Sequence, residues 1–212
     1  MISTVERGHR RFGGLYVLAD PAQGALLPGR LEAALRGGAR LVQYRDKRRE
    51  ARLEDIRRLR ALCRACGVPF LVNDDPGLAF RLEADGVHLG RDDASLADAR
   101  EILGPAAIIG ASCYDDIARA RAAVAAGADY VAFGSCFRSH TKPEAPPCPL
   151  PVLTMARSEL SVPIVAIGGI TPQNGGLLLR AGADVLAVSA GVFGATHVED
   201  AARSYTDLFL DT

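Results

Sequence analysis

The 212-residue chain contains no tryptophan and two methionines, and aromatic residues make up only 6% of it. That scarcity leaves no stripe of aromatic and basic side chains of the kind on which single-stranded nucleic acid stacks. Neither sign of charge is in excess: 25 Lys and Arg balance 25 Asp and Glu. No global field therefore draws the chain to nucleic acid or to an anionic membrane. No apolar run approaches the roughly 20 residues that span a bilayer. The first residues, MISTVERGHRRFGG, carry charge without the apolar stretch of a secretory signal. A cytoplasmic protein is expected. The five cysteines are odd in number in a chain too large to need staples, so free thiols are expected. Cys63 and Cys66 form a C-x-x-C inside an expected helix, and no second such pair completes a zinc site, which favours plain packing.

Two further absences narrow the chemistry. Nothing places a base beside a nucleophile, so neither Ser-His-Asp nor Cys-His logic emerges. The turn after the first strand reads ADPAQG, without the G-x-G-x-x-G of a dinucleotide-binding sheet. His9 and His197 look peripheral, and His88 reads as a satisfied histidine inside a strand.

What is present is alternation. Short apolar runs, several apolar throughout as in PFLV, AAIIG and PIVAI, read as strands buried on both faces of a parallel sheet. The expected strands are Gly14–Ala19, Arg40–Tyr44, Pro69–Val72, Asp85–Leu89, Ala106–Gly110, Asp129–Phe133, Pro163–Ile167 and Asp184–Val188. Between them, apolar residues recur at helical spacing, as in Leu53, Ile56, Leu59, Cys63 and Cys66, or Leu31, Ala34 and Leu35. A weak repeat precedes every second strand: Gly38-Ala39, Ala84-Asp85, Gly127-Ala128-Asp129 and Gly182-Ala183-Asp184. Two βα units per repeat make eight, which predicts a single-domain α/β fold, a (β/α)₈ TIM barrel over residues 14–212 after an N-terminal extension of residues 1–13.

In such a barrel, chemistry gathers where the strands end. Gln43, Arg45 and Lys47 follow the second strand, Asn73, Asp74 and Asp75 the third, and Arg91, Asp92 and Asp93 the fourth. Ser112 ends the fifth, while Ser139, His140, Thr141 and Lys142 follow the sixth in a proline-containing loop over 134–148. Asp74 and Asp93, on adjacent strands, suit Mg²⁺ completed by water and phosphate oxygens. Salt bridges with the basic rim are the alternative, and the chemistry favours the metal. Arg45, Lys47 and Lys142 could grip the phosphates of an anion, Arg as a planar fork and Lys as a point charge. Gly168-Gly169-Ile170 and Ser189-Ala190-Gly191 follow the last two strands, where barrels often seat a phosphate on backbone amides. The rim therefore suggests two anion sites, one metal-assisted for a diphosphate and one backbone cradle for a monophosphate.

The motifs VQYRDK, VNDD, GVHLGRDD, IIGASC, VAFGSCF, SHTKPEAP and IVAIGGIT, in that order, resemble the thiamine phosphate synthase family over nearly the whole chain. The resemblance implies a Mg²⁺-dependent transferase that joins an aminopyrimidine diphosphate to a (carboxy)thiazole phosphate, releasing pyrophosphate. It implies that Gln43, Arg45, Lys47 and Asn73 contact the pyrimidine substrate, with Tyr44 and Asp46 from the same VQYRDK motif. Asp74 and Asp93 would bind Mg²⁺. Ser112 would touch the pyrimidine and Lys142 its diphosphate, so that Arg45, Ser112 and Lys142 carry the catalytic roles. Ser139, His140 and Thr141 would lie against the thiazole phosphate, held by Gly169 and the backbone of Ser189 and Ala190. The chain departs from the family at Arg91, where glutamine is usual, and at Tyr114, where histidine is common. It also departs at Ser135-Cys136, Arg138 and Ser139, and over Val188-Ser189-Ala190-Gly191. Two other readings share these residues: a thiazole tautomerase-like isomerase, and a non-catalytic barrel that binds a thiazole phosphate. Small-molecule partners are expected in each case, and a homo-oligomer stays open.

Overall fold

The apolar runs pair side by side in one direction. In the computed structural model, which describes residues 13–47, 52–138 and 148–210, the strands are β1 (Gly14–Ala19), β2 (Ala39–Tyr44), β3 (Phe70–Asn73), β4 (Gly86–Leu89), β5 (Ile108–Tyr114), β6 (Tyr130–Phe133), β7 (Ile164–Ile167) and β8 (Val185–Val188). Each is parallel to the next, and β8 pairs with β1, closing the barrel. Helices return the chain between strands: α1 (Leu27–Arg36), α2 (Leu53–Ala65), α3 (Pro76–Arg81), α4 (Leu96–Leu103), α5 (Ile117–Ala125), α6 (Leu150–Glu159), α7 (Pro172–Arg180), α8 (Ala190–Phe193) and α9 (Val198–Thr206). The expected single-domain (β/α)₈ barrel is the fold. Residues 1–12, most of the expected N-terminal extension, lie outside the described residues.

The repeat before alternate strands has a structural purpose. Asp85, Asp129 and Asp184 each accept a backbone N–H at the start of the preceding strand, from Phe70 (first of β3) at 2.8 Å, Ile109 (second of β5) at 2.8 Å and Ile164 (first of β7) at 2.9 Å. A strand's leading amide would otherwise have no ladder partner at the barrel's N-terminal end. Arg100 on α4 and Arg157 on α6 then bind Asp129 and Asp184, at 2.6 and 3.1 Å, tying the outer helices to the same end. The first repeat carries Arg40 in place of the aspartate.

Two elements differ from expectation. The fifth strand was expected to stop at Gly110, but β5 continues to Tyr114, paired with Phe133. Gly110 is clearance rather than a terminator, because a Cβ there would lie 1.9 Å from the Tyr130 ring. Cys66, expected within a helix, sits exposed just past α2, which ends as Gly67 adopts a left-handed φ of 66°. Cys63 is buried, and that burial pushes its thiol up to about 12. All five cysteines are free.

The closed sheet separates two apolar layers. Between sheet and helices, Leu31, Leu59, Phe70, Val131, Leu153, Leu178 and their neighbours form a continuous cluster. Inside the barrel lies a smaller one, with Tyr16, Leu18, Leu41, Leu71, Tyr130 and Val165 among its members. Among the described residues no helix is long and apolar enough to cross a membrane.

Candidate functional site

Strands β2 to β5 end in the polar residues that the sequence singled out, and the structure brings part of that set together. Asp74 directly follows β3, its amide bonded to the His88 carbonyl of β4 at 2.8 Å and its φ at 65°. The left-handed turn leaves Asp74 half-buried and hydrogen-bonded through its carboxyl to that of Asp93. Burial and the Asp93 carboxylate push Asp74 up to about 6, while the positive charges of Arg45 and Lys47 act in the opposite sense. Two carboxylates and two cations from three neighbouring loops thus face one space. Asp93 is also fixed from behind, since the Gly90 amide donates to its Oδ2 at 2.6 Å.

Two carboxyl groups in contact must share a proton unless a cation takes its place. That chemistry suits a hard divalent ion. Among the described residues no group of three or more His, Cys, Asp or Glu converges on such a site. An ion held here would therefore depend on water and ligand oxygens for most of its shell, which is the habit of Mg²⁺. Asp75 is committed elsewhere: its Oδ1 accepts the Leu78 amide at 2.8 Å and caps α3. Alongside lies a cleft of about 470 Å³ whose lining includes Asp46, Lys47, Asn73, Asp74 and Arg81.

The other predicted residues fall into distinct places. Gln43, 2% exposed, points into the barrel interior and donates to the Tyr16 hydroxyl at 2.6 Å. Ser112 on β5 sits at the opposite side of the same interior, 2.9 Å from His88 Nε2. Tyr44 belongs instead to the outer layer, stacked on Phe70, with its hydroxyl on Asp46 at 3.1 Å. Gly168 and Gly169 are both left-handed, and a Cβ on Gly169 would meet the Arg138 carbonyl at 2.4 Å, so the backbone there approaches the loop after β6 closely. Ser189 commits its hydroxyl to the Leu18 carbonyl at 3.2 Å, which leaves its backbone and the leading amides of α8 at Ala190 and Gly191 as the polar groups of that turn. Ser139, His140, Thr141 and Lys142 lie outside the described residues.

Three participants were not singled out from the sequence. Tyr16 and Tyr130 occur in apolar strand runs and read as core, with no local signal to mark them. Arg119 on α5 donates to the carbonyls of Ser112 at 2.8 Å and Gly90 at 3.2 Å, bracing the ends of β4 and β5. Two of the departures from the family pattern meet each other: the Arg91 guanidinium lies 4.7 Å over the Tyr114 ring. Arg91 is thus engaged at the rim by a cation–π contact.

Polar groups gathered at the strand ends of a closed parallel barrel, with paired carboxylates in the field of two cations, define the candidate site of a (β/α)₈-barrel enzyme. Its family follows from comparison with known proteins. The model described as thiamine monophosphate synthase matches residues 15–192. A thiamine-phosphate synthase of Azoarcus sp. (strain BH72) is 50% identical over 202 residues, 94% of this chain and 98% of that one. Another, of Methylococcus capsulatus, is 50% identical over 199 residues, 92% of this chain and 89% of that one. A solved thiamine phosphate pyrophosphorylase from Pyrococcus furiosus superposes with a TM-score of 0.83 at 31% identity, over 96% of this chain and 98% of that one. The chain belongs to the thiamine monophosphate synthase family. A 3-hexulose-6-phosphate synthase, 18% identical with a TM-score of 0.68 over 92% of this chain and 99% of that one, shares the fold alone.

Proposed function

We propose that the protein condenses an aminopyrimidine methyl diphosphate with a thiazole phosphate, giving thiamine phosphate and pyrophosphate, and that it does so in the cytoplasm with Mg²⁺. The observation that carries the reading is the Asp74–Asp93 carboxyl pair within the field of Arg45 and Lys47. A monophosphate-binding barrel or an isomerase has no need of that pair, whereas a departing diphosphate does.

Asp74 and Asp93 would hold the ion, and Mg²⁺ bound there supplies neutralisation of charge on the leaving diphosphate. Arg45 and Lys47 add fixed positive charge on the same side, with Lys142 assigned to the diphosphate by the family motif. Gln43, Asn73 and Ser112 would orient the pyrimidine, and Tyr44 and Asp46 would brace the loop that carries Arg45. Gly169, with the backbone of Ser189 and Ala190, would seat the thiazole phosphate against Ser139, His140 and Thr141. The electron-rich pyrimidine can support a cationic methylene as the C–O bond breaks, and the thiazole nitrogen then forms the new C–N bond. The residues contribute positioning and electrostatics, with no covalent enzyme adduct.

The test is formation of thiamine phosphate and pyrophosphate from the two substrates, with Mg²⁺ and with chelator. Product only with Mg²⁺, and a loss of about 100-fold or more in kcat/KM for Asp74→Asn, supports the reading. Folded protein that binds thiazole phosphate but yields no product under either condition overturns it.

A further inference from the structure

Two buried thiols meet beside the ends of β6 and β7. Cys136 follows β6, and its amide donates to the Ile167 carbonyl of β7 at 2.9 Å. Cys148 stands just ahead of α6, and its amide donates to the Ser135 carbonyl at 2.6 Å. The second bond returns the chain to the residue next to Cys136. The two cysteines, 6% and 3% exposed, are hydrogen-bonded to each other through their side chains. Each thiol also lies near a carbonyl oxygen, Phe133 at 3.6 Å for Cys136 and Pro149 at 3.9 Å for Cys148. A disulfide requires that the two side chains converge. Here they already touch, on backbones fixed by hydrogen bonds.

The other three cysteines differ. Cys63 and Cys113 are buried, and burial pushes both thiols up to about 12, which keeps them protonated and inert. Cys66 is exposed just past α2. In the pair, the hydrogen bond from Cys136 holds Cys148 below the ordinary thiol range, although burial opposes it. The same bond, with burial, pushes Cys136 up. A thiolate is the form that oxidants attack, and a thiol in contact is placed to resolve the product. The pair is also joined to the candidate site. The Phe137 amide donates to the Gly168 carbonyl at 3.0 Å, and a Cβ on Gly169 would lie 2.7 Å from the Phe137 carbonyl oxygen. Bonded sulfurs stand about 2.05 Å apart, closer than two hydrogen-bonded thiols can be. Oxidation therefore draws Cys136 toward Cys148, and the bonds to Ile167 and Gly168 carry that pull to the Gly168-Gly169 turn.

We infer that Cys136 and Cys148 are a redox pair, closed by peroxide to a reversible intrachain disulfide that weakens the hold of the Gly168-Gly169 turn on its phosphate ligand. The Cys148 sulfur attacks one peroxide oxygen. An S–O bond forms, the O–O bond breaks, and the released hydroxide takes up a proton as water, leaving a sulfenic acid. The Cys136 sulfur then attacks the Cys148 sulfur. The S–S bond forms, the S–O bond breaks, and the departing hydroxide leaves with the Cys136 proton as a second water. The two thiols together lose two electrons, and the peroxide gains them. A dithiol reverses the step by exchange. The pairing stands on the geometry of the two cysteines. Its effect on the ligand rests on the synthase reading, in which that turn seats the thiazole phosphate.

The experiment treats the folded, reduced protein with hydrogen peroxide. It follows intact mass, disulfide-mapped peptides and calorimetric affinity for thiazole phosphate, before and after dithiothreitol. The expected product has lost two hydrogens, links Cys136 to Cys148 and regains its mass with dithiothreitol. Its affinity for thiazole phosphate is expected to be lower by about fivefold or more and to recover on reduction. Cys136→Ser and Cys148→Ser are each expected to abolish the two-hydrogen loss and to keep their affinity under peroxide. Should either variant not fold, the peptide map of the wild type still decides the pairing. A disulfide between other positions or between chains, oxygen added at separate cysteines, or a pair still reduced once Cys66 is oxidised overturns the pairing. The mapped disulfide with unchanged affinity overturns its coupling to the turn. Reduced protein that does not bind thiazole phosphate overturns the synthase reading instead, and the peptide map then still reads the pair.

Discussion

Outside the sheet, Leu31, Leu59, Leu153 and Leu178 pack against strands with no polar atom among them; inside it, Gln43, Tyr16, Tyr130, His88 and Ser112 join hands across the barrel. Both layers are buried, and both derive from the same strands, whose side chains alternate between them. The outer layer is mostly aliphatic because its task is to hold helices on the sheet, and its tyrosines, Tyr44 and Tyr205, turn their hydroxyls to Asp46 and to the Ile170 carbonyl. The inner layer carries a run of side-chain hydrogen bonds that ends at Gln43 and Ser112, two of the candidate site residues. Stability and function are thus divided by residue parity along each strand.

Perturbing the outer layer tests the first half of that division most strongly. Leu31→Ala removes a fully buried side chain and is expected to lower the unfolding free energy by about 2–5 kcal/mol in urea titrations. Its KM values should stay put at temperatures where it remains folded. A shifted pyrimidine KM would show that the layers are not independent.

The inner layer should register in acid. Burial holds His88 down to about 4 when folded, against an ordinary value of 6.5. Below pH 6.5 the unfolded chain takes up a proton that the folded one refuses, so stability falls as pH drops from about 6.5 to 4. The loss amounts to about 3 kcal/mol at pH 4. His88→Gln lacks this contribution, and denaturation at pH 7 and pH 4 should find its decline shallower than the wild type's by that amount; equal slopes would contradict the assignment of a neutral, buried imidazole.

Gly110→Ala places a Cβ where the Tyr130 ring stands, with a cost of about 1–3 kcal/mol in stability. Unlike Leu31→Ala, it is expected also to raise KM for the pyrimidine substrate, because Tyr130 must move off His88. Unchanged kinetics in this variant would separate the polar chain from the site.

At the mouth, the Asp74–Asp93 pair offers a smaller effect with a definite sign. Burial and Asp93 raise Asp74 to about 6 against an ordinary value of 3.8, so its contribution to stability without metal is present below pH 3.8 and lost as pH rises through 6. Mg²⁺ must displace the shared proton, and its affinity should be about tenfold weaker at pH 5 than at pH 7 by calorimetry. An affinity indifferent to pH would mean that the ion does not use this pair. Least of all, Arg91→Ala removes an exposed cation–π contact with Tyr114 and should shift stability by about 0.5–1 kcal/mol, with kcat/KM nearly unchanged if the guanidinium serves the rim alone.

Much of this architecture is legible from the chain itself. The apolar runs and the Gly-Ala-Asp repeat announce eight strands, and the clustering of Asp74, Asp93, Arg45 and Lys47 after them marks the candidate site. The purpose of the repeat is not legible, because Asp85, Asp129 and Asp184 bond to amides 15 or 20 residues earlier. Nor is the length of β5, since a glycine that ends a strand and one that clears an aromatic ring look alike in sequence. Tyr16 and Tyr130 are separated by 114 residues, and nothing local distinguishes them from core aromatics.

Sequence by itself determined the fold class, the family and the roster of charged rim residues, because these depend on periodicity and on short motifs within single βα units. Only the tertiary structure decided which polar residues touch. Barrel closure brings β1, β2, β4, β5 and β6 around one axis, and it is across that axis, not along the chain, that Gln43 is joined to Ser112. Closure also sets two carboxyls in contact and lifts Asp74 toward neutrality, since burial and like charge act through space.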